Sequence, residues 1–149
     1  MPLQVVHLSG PADQLRVKER YEEAGVPHLA LEFLRDMDQA YAVADLAISR
    51  AGAATCAELA AFGVPAVFMP LRSSGRNRQI CNAQAVASSG AAIVFEEDAL
   101  TSGGLADCVE SLFRRPETLQ AMRTASCARA IPDAAEKLAD LVEEVGKGK

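Results

Sequence analysis

The chain has 149 residues and a formal net charge of −5, and half of its residues are hydrophobic. This length is typical of one domain, and this composition is typical of a globular protein rather than a disordered one. The acidic balance argues against a general nucleic-acid-binding protein, whose usual signature is a basic surface, so we expect no nucleic acid among the partners.

The predicted strands and helices alternate along the chain. The predicted strands span residues 3–8, 28–33, 45–49, 65–69 and 91–95. The predicted helices span residues 12–24, 35–44, 55–62, 78–89, 101–114, 117–130 and 132–145. Two strands, "DLAIS" and "PAVFM", are nearly continuous apolar runs. Such runs indicate a sheet covered on both faces, so the pattern predicts parallel βαβ units in a Rossmann-like, doubly wound α/β domain. Residues 146–149 are predicted to fray.

Neither a signal peptide nor a membrane span is predicted. The opening "MPLQVVHLSG" lacks a basic start and a long apolar stretch, and no run of about 18 apolar residues follows. Attachment to a membrane surface stays open. The four cysteines form no C-x-x-C motif, and the two histidines complete no metal-ligand pattern. We interpret the cysteines as small buried thiols in a reducing cytosol.

Four segments follow the predicted strands and are expected to converge on one rim, where α/β sheets bind ligands. They are Ser9-Gly10, Phe33-Leu34, Arg50-Ala51-Gly52 and Pro70-Leu71-Arg72. Gly52 can adopt a positive φ and lets another group approach the backbone. The helix that follows it offers free N–H groups and a positive dipole end, which suit phosphate.

Glu58 has two interpretations. Thr55-Cys56-Ala57-Glu58 fits the capping box S/T-x-x-E, in which Glu58 only reaches back to the Thr55 amide. Alternatively, Glu58 binds two vicinal hydroxyls of a ribose, as acidic residues do in dinucleotide folds. The spacing alone favours the capping box.

The other polar residues of this region also have two interpretations. Four arginines on the rim loops either solvate the surface or form an anion site: Arg50, Arg72, Arg76 and Arg78. Gln79 and Asn82 are interpreted as an exposed polar helix face. His7 lies inside a strand and is expected to pack rather than to catalyse. No nucleophile, base and orienting group can be assembled from the sequence.

A family resemblance is carried by four blocks in this order: "FLRDMDQAYAVADLAISRAGAATCAELAAFGVPAVFMP", "RQICNA", "GAAIVFEE" and "IPDAAEKLADLV". Over nearly its whole length, the chain resembles the C-terminal half of the enzymes of the MurG family. These are the muramoyl-pentapeptide N-acetylglucosaminyltransferases of glycosyltransferase family 28. The resemblance implies one half of a GT-B enzyme, the half that binds the UDP-sugar donor. It also implies that residues 1–149 form a single C-terminal domain that lacks the family's first βα unit with its glycine-rich loop, and that an N-terminal acceptor domain is absent.

The resemblance assigns donor-binding roles to matching positions. Leu34 offers its backbone to uracil, in a pocket shaped by Phe33 and Met37, and Ser9 contacts the diphosphate. The smooth turn at Gly52 leads to Ala53, Ala54 and Thr55, which bring backbone groups and a hydroxyl to the phosphates. Glu58 holds the ribose hydroxyls, and Gln79 binds the GlcNAc hydroxyls with Arg78 beside it. With the resemblance, the ribose interpretation of Glu58 becomes the preferred one.

The implied reaction transfers GlcNAc from UDP-GlcNAc to the C4 hydroxyl of a lipid-linked muramoyl-pentapeptide in bacterial peptidoglycan biosynthesis, with inversion. The general base and the lipid-contacting surface are expected in the N-terminal domain, at the inner face of the cell membrane. This chain alone is therefore expected to be inactive. No cofactor or metal ligand is expected, and a requirement for a divalent metal is left open.

The chain departs from the family at two further points. Arg78 stands where the family usually has His or Gln, and the loop "LRSSGRNR" is one residue longer than in some relatives. Three other functions stay open: a stand-alone donor-binding subunit of a two-chain GlcNAc transferase, a UDP-GlcNAc 2-epimerase on the same scaffold, and a non-catalytic nucleotide-sugar-binding or interaction domain.

Overall fold

The computed structural model describes residues 3–71, 77–95 and 101–147. In these ranges strands and helices alternate up to the fifth strand and three helices follow it, as predicted, and every described strand is parallel to its neighbour, which confirms the α/β class. The chain divides into two compact units, 1–43 and 44–149. Among the described residues, no helix is both long enough and apolar enough to cross a membrane.

The first unit is a βαβ unit followed by a short helix. Its elements are β1 (Val5–Leu8), α1 (Gln14–Glu23), β2 (His28–Leu31) and α2 (Met37–Val43). β1 and β2 pair in parallel, with Val5 opposite His28 and Leu8 opposite Leu31. The Nδ1 atom of His7 lies 3.0 Å from the Tyr21 hydroxyl, so His7 is packed against α1 as predicted.

The second unit is a three-stranded parallel sheet with helices around it. Its elements are β3 (Ala47–Ser49), α3 (Ala53–Phe62), β4 (Ala66–Phe68), α4 (Arg78–Ala87), β5 (Ala92–Val94), α5 (Ser102–Arg114), α6 (Pro116–Cys127) and α7 (Ala134–Lys147). The strand order is β3-β4-β5, so β4 is the central strand. α7 continues through Lys147, into the stretch that was predicted to fray.

Coverage of the sheet differs between the strands. All three residues of β4 are buried, as its apolar run predicted. β3 lies at the edge of this sheet, and 45% of Ile48 is exposed, so the prediction that both faces of "DLAIS" are covered is wrong. Val67 packs with Leu112 of α5 and Met122 of α6 in one apolar cluster. Burial of such side chains contributes roughly 1.5–3 kcal/mol each to folding.

α3 is fixed at its C-terminal end. Gly63 ends the helix with φ 65°, a conformation that glycine adopts without steric cost, and the Val64 N–H bonds back to the Leu59 carbonyl at 2.8 Å. Two neighbours, α4 and α6, pack against α3. The position of α3 is therefore set by both of these helices.

Candidate functional site

The connection between β3 and α3 forms an open helix N-terminus. Gly52 is the N-cap residue, with φ −65° and ψ 149°, and its carbonyl accepts the first bond of the helix, from the Cys56 N–H at 2.9 Å. Among the described residues, no side chain caps this end. The N–H groups of Ala53, Ala54 and Thr55 therefore have no acceptor within the helix, and together they carry its positive dipole end.

The structure corrects two expectations for this connection. Gly52 has a negative φ, so the bend does not use the left-handed conformation that glycine allows. Thr55 is the third residue of α3 rather than its N-cap, so Thr55 and Glu58 cannot form a capping box. The N-cap lies three residues earlier than the T-x-x-E spacing suggested, because the helix extends through the small residues Ala53 and Ala54 to Gly52.

Glu58 lies one turn along α3 from the open N-terminus. Its side chain is exposed, and it lies four residues after Ala54 and three after Thr55, which places it on the same face of the helix as each of them. Thr55 is half-buried, whereas Ala53 and Ala54 are exposed. The first two turns of α3 therefore carry backbone amides, a hydroxyl and a carboxylate.

Three side chains join the segments after β3 and β4 to each other and to α4. The Arg50 guanidinium donates to the Met69 carbonyl at 2.8 Å. The Leu71 N–H donates to Gln79 Oε1 at 2.9 Å, and Asn82 Nδ2 donates to the Ala51 carbonyl at 3.0 Å. The structure thus brings the start of α4 next to the connection that leads into α3.

Gln79 and Asn82 do not form the exposed polar face that was expected of them. Both are half-buried, and each binds the backbone of a loop. Because a backbone N–H only donates, the Gln79 oxygen faces Leu71, and its NH₂ group is the part that can donate to a ligand. Arg78, the first residue of α4, is exposed. Arg72 and Arg76 lie outside the described residues.

The predicted uracil-site residues belong to the first unit. Ser9 follows β1, and its N–H bonds to the Leu31 carbonyl at 3.0 Å. Phe33 and Leu34 follow β2, so parallel pairing places them at the same edge of this sheet as Ser9. The Phe33 ring is 76% exposed. Met37 begins α2 and is half-buried.

The cysteines were expected to be buried, and this is wrong for all four. All are free; Cys81 and Cys127 are exposed, and Cys56 and Cys108 are half-buried. Burial raises the pKa of the Cys56 thiol, an effect that the charge of Arg129 partly offsets. A raised pKa lowers the thiolate fraction of Cys56, and the thiolate is the nucleophilic form. Across 3–71, 77–95 and 101–147, no group of three or more His, Cys, Asp or Glu could hold a metal ion.

Two features of the site were not predicted from the sequence. The Ser49 hydroxyl, at the end of β3, is buried without a hydrogen-bond partner in the described part of the chain. The bond from Asn82 to Ala51 joins residues 31 positions apart. The sequence signal for this bond is an Asn near the start of a helix, three residues after a Gln on the same face.

Comparisons with known proteins agree over nearly the whole chain. The family profile described as "Glycosyltransferase family 28 C-terminal domain" matches residues 2–144. A UDP-N-acetylglucosamine--N-acetylmuramyl-(pentapeptide) pyrophosphoryl-undecaprenol N-acetylglucosamine transferase from Aeromonas hydrophila is 40% identical over 100% of this chain and 41% of its own length. A relative of the same name from Stutzerimonas stutzeri is 38% identical over 97% of this chain and 41% of its own length.

The solved structures show the same similarity. The crystal structure of MurG from Acinetobacter baumannii superposes with a TM-score of 0.88 and 33% identity, over 97% of this chain and 44% of that one. The chain therefore spans about two-fifths of the length of the relatives it matches.

Proposed function

The chain is a C-terminal domain of glycosyltransferase family 28, and from this family membership we propose that it is the UDP-GlcNAc-binding half of an inverting N-acetylglucosaminyltransferase. The complete enzyme transfers GlcNAc to a lipid-linked muramoyl-pentapeptide in peptidoglycan biosynthesis. The printed names of the relatives, with identities of 38–40%, support this substrate pair.

The open N-terminus of α3 is the observation that carries the proposal. A diphosphate matches the N–H groups of Ala53, Ala54 and Thr55 and the positive dipole end behind them. Gly52 itself has no side chain that could occupy these N–H groups. In this proposal Glu58 accepts hydrogen bonds from the ribose hydroxyls, one helical turn away.

The sugar end of the donor is assigned to α4. The Gln79 oxygen is held by the Leu71 N–H, which leaves the NH₂ group to donate to a GlcNAc hydroxyl. Arg78, which is exposed, directly precedes Gln79 at the helix start and lies beside the sugar in this assignment. In the first unit, the proposal gives Leu34, Phe33 and Met37 to the uracil, and Ser9 to the diphosphate.

Catalysis by this half consists of positioning and charge stabilisation. Attack of the acceptor hydroxyl on the anomeric carbon breaks the bond to the UDP oxygen in a single displacement, and negative charge develops on the departing diphosphate. Backbone N–H groups and a helix dipole stabilise that charge without donating a proton. The base that takes the acceptor proton, and the lipid-binding surface at the inner membrane face, are assigned to the acceptor domain or subunit.

Calorimetric titration of the 149-residue chain with UDP and with UDP-GlcNAc tests the proposal. We expect both to bind, with the sugar adding affinity. Uridine and inorganic phosphate serve as controls, because each contains only part of the donor. A folded sample that gives no heat with either nucleotide contradicts the proposal and supports a non-catalytic interaction domain instead.

A further inference from the structure

The peptide between Ala51 and Gly52 is held by a side chain from another helix. Asn82 Nδ2 of α4 donates to the Ala51 carbonyl at 3.0 Å, and Ala51 is 0% exposed. β3 ends at Ser49, and the first bond of α3 is accepted by Gly52, so the Ala51 carbonyl lies outside both backbone ladders. A buried carbonyl in such a position needs a partner, and Asn82 supplies it.

Fixing this carbonyl also fixes the next N–H. The described part of the chain contains no cis peptide, so the Ala51–Gly52 peptide is planar and trans. In a trans peptide the C=O and N–H point in opposite directions. The bond to Asn82 therefore turns the Gly52 N–H away from the Asn82 amide. This N–H directly precedes the open amides of α3.

One face of α4 binds the backbone that follows β3 and the backbone that follows β4. Gln79 and Asn82 are three residues apart and lie on the same face of the helix. Gln79 binds the backbone after β4, and Asn82 binds the backbone after β3. Ala83, the next residue, is 0% exposed, so this part of α4 is anchored by packing. α4 can hold the two loops in register because its own position is fixed.

We propose that Asn82 is a positioning residue of the donor site, which orients the Ala51–Gly52 peptide so that the Gly52 N–H joins the α3 amides in binding a nucleoside diphosphate. The inference rests on the proposed function. The role requires a donor at position 82. Aspartate has the same shape, but its carboxylate accepts rather than donates and repels the Ala51 carbonyl oxygen.

The test compares Asn82→Ala and Asn82→Asp with Gln84→Ala, which removes an exposed amide from the same helix. The ¹⁵N-labelled chain is titrated with UDP and with uridine, which has no phosphate. We expect the free Gly52 amide resonance to move in both Asn82 variants but not in Gln84→Ala. UDP affinity should fall about tenfold in Asn82→Ala and further in Asn82→Asp, while uridine affinity stays at the wild-type value.

The possible outcomes separate the two proposals. UDP affinity that is unchanged in both Asn82 variants overturns the role of Asn82 and leaves the proposed function intact. Equal losses for UDP and uridine also overturn it, because they indicate a general structural role rather than orientation of a phosphate-binding amide. A folded wild-type chain that binds no UDP overturns the proposed function, and the role of Asn82 with it. Thermal unfolding of each variant establishes that the compared samples are folded.

Discussion

The hydroxyl of Ser126 lies 3.2 Å from the carbonyl oxygen of Leu59, and this contact joins α6 to the last turn of α3. The same hydroxyl lies 3.1 Å from the Val64 carbonyl, at the entry to β4. Ser126 is 3% exposed, so both carbonyls meet it away from water. The helix whose N-terminus carries the proposed phosphate site is therefore anchored at its other end by a buried polar contact.

Replacing Ser126 with alanine should lower the free energy of unfolding by about 1–3 kcal/mol, because the single buried O–H donor that the Leu59 and Val64 carbonyls share is lost. Urea denaturation measures the change. Thr124→Ala is the matched control: it removes a hydroxyl from the same helix, but one that is exposed and bonds locally to the Gln120 carbonyl. The control should change stability by no more than about 0.5 kcal/mol. Equal losses in the two variants would contradict the anchoring role.

Among the described glycines, Gly63 is the one where an added side chain meets the closest contact. Its φ is 65°, and a Cβ added to it would overlap the Cys127 sulfur. Gly63→Ala should therefore destabilise the chain by about 2–4 kcal/mol, from backbone strain and overpacking together. Gly90→Ala is the control, since its φ is also positive but an added Cβ makes only ordinary contact with Ala125. It should cost about 1 kcal/mol.

A second variant separates strain from overlap at Gly63. Cys127→Ala removes the sulfur, so in that background Gly63→Ala should cost about as much as Gly90→Ala does. Thermal or urea unfolding of the four combinations gives the coupling between positions 63 and 127. No coupling would mean that strain alone limits position 63.

The order and type of the elements were predictable because local signals agree with the fold. Apolar runs predicted the strands, and glycines at 25, 63 and 90 marked helix ends in positive φ. The start of α3 was not predictable from its motif. T-x-x-E satisfies a capping box in sequence, but the helix propensity of the alanines before it moved the N-cap to Gly52.

The contacts that organise the site could not be predicted from local sequence patterns. Asn82 and Ala51 are 31 residues apart, and Ser126 and Leu59 are 67 apart. Both contacts satisfy backbone carbonyls, whose need for a partner depends on burial that only the folded chain creates. The family resemblance identified Gln79 as a site residue, whereas only the structure shows that its oxygen accepts the Leu71 N–H.

The four thiols should react in two classes. Cys81 and Cys127 are exposed, and Cys56 and Cys108 are half-buried with pKa values that burial raises. At pH 8 a disulfide reagent should label the first pair at least about tenfold faster than the second, because the thiolate is the reacting species. Mass spectrometry of partly labelled chains identifies each site. Rapid labelling of Cys56 or Cys108 would contradict the ordering.

The raised pKa values also predict a loss of stability in alkali. A thiol whose pKa is higher in the folded state stabilises the fold below its unfolded pKa, and this contribution disappears as pH rises through the folded pKa. For Cys56 and Cys108 that window begins above about pH 9. The free energy of unfolding should fall across this window, and Cys108→Ala should reduce the slope. An unchanged slope in that variant contradicts the prediction.

Gln79 should distinguish the sugar from the nucleotide. Gln79→Glu keeps an oxygen for the Leu71 N–H but removes the NH₂ group assigned to the GlcNAc hydroxyls. UDP should bind with wild-type affinity, whereas the additional affinity of UDP-GlcNAc should fall about fivefold to tenfold. Gln84→Glu introduces the same charge at an exposed position of α4 and is the control. A loss for UDP itself would place Gln79 elsewhere in the site.

The contribution of Glu58 to UDP affinity should depend on the ribose hydroxyls. If its carboxylate accepts the ribose hydroxyls, Glu58→Gln weakens UDP binding by about tenfold or more, as expected for a lost charge-assisted bond. The loss should be smaller for 2′-deoxy-UDP, which has one hydroxyl fewer to offer. Glu117→Gln neutralises another exposed helical carboxylate and should change neither affinity. Calorimetry with both nucleotides gives the coupling between Glu58 and the 2′-hydroxyl. Equal losses for the two nucleotides would contradict a bond between Glu58 and the 2′-hydroxyl.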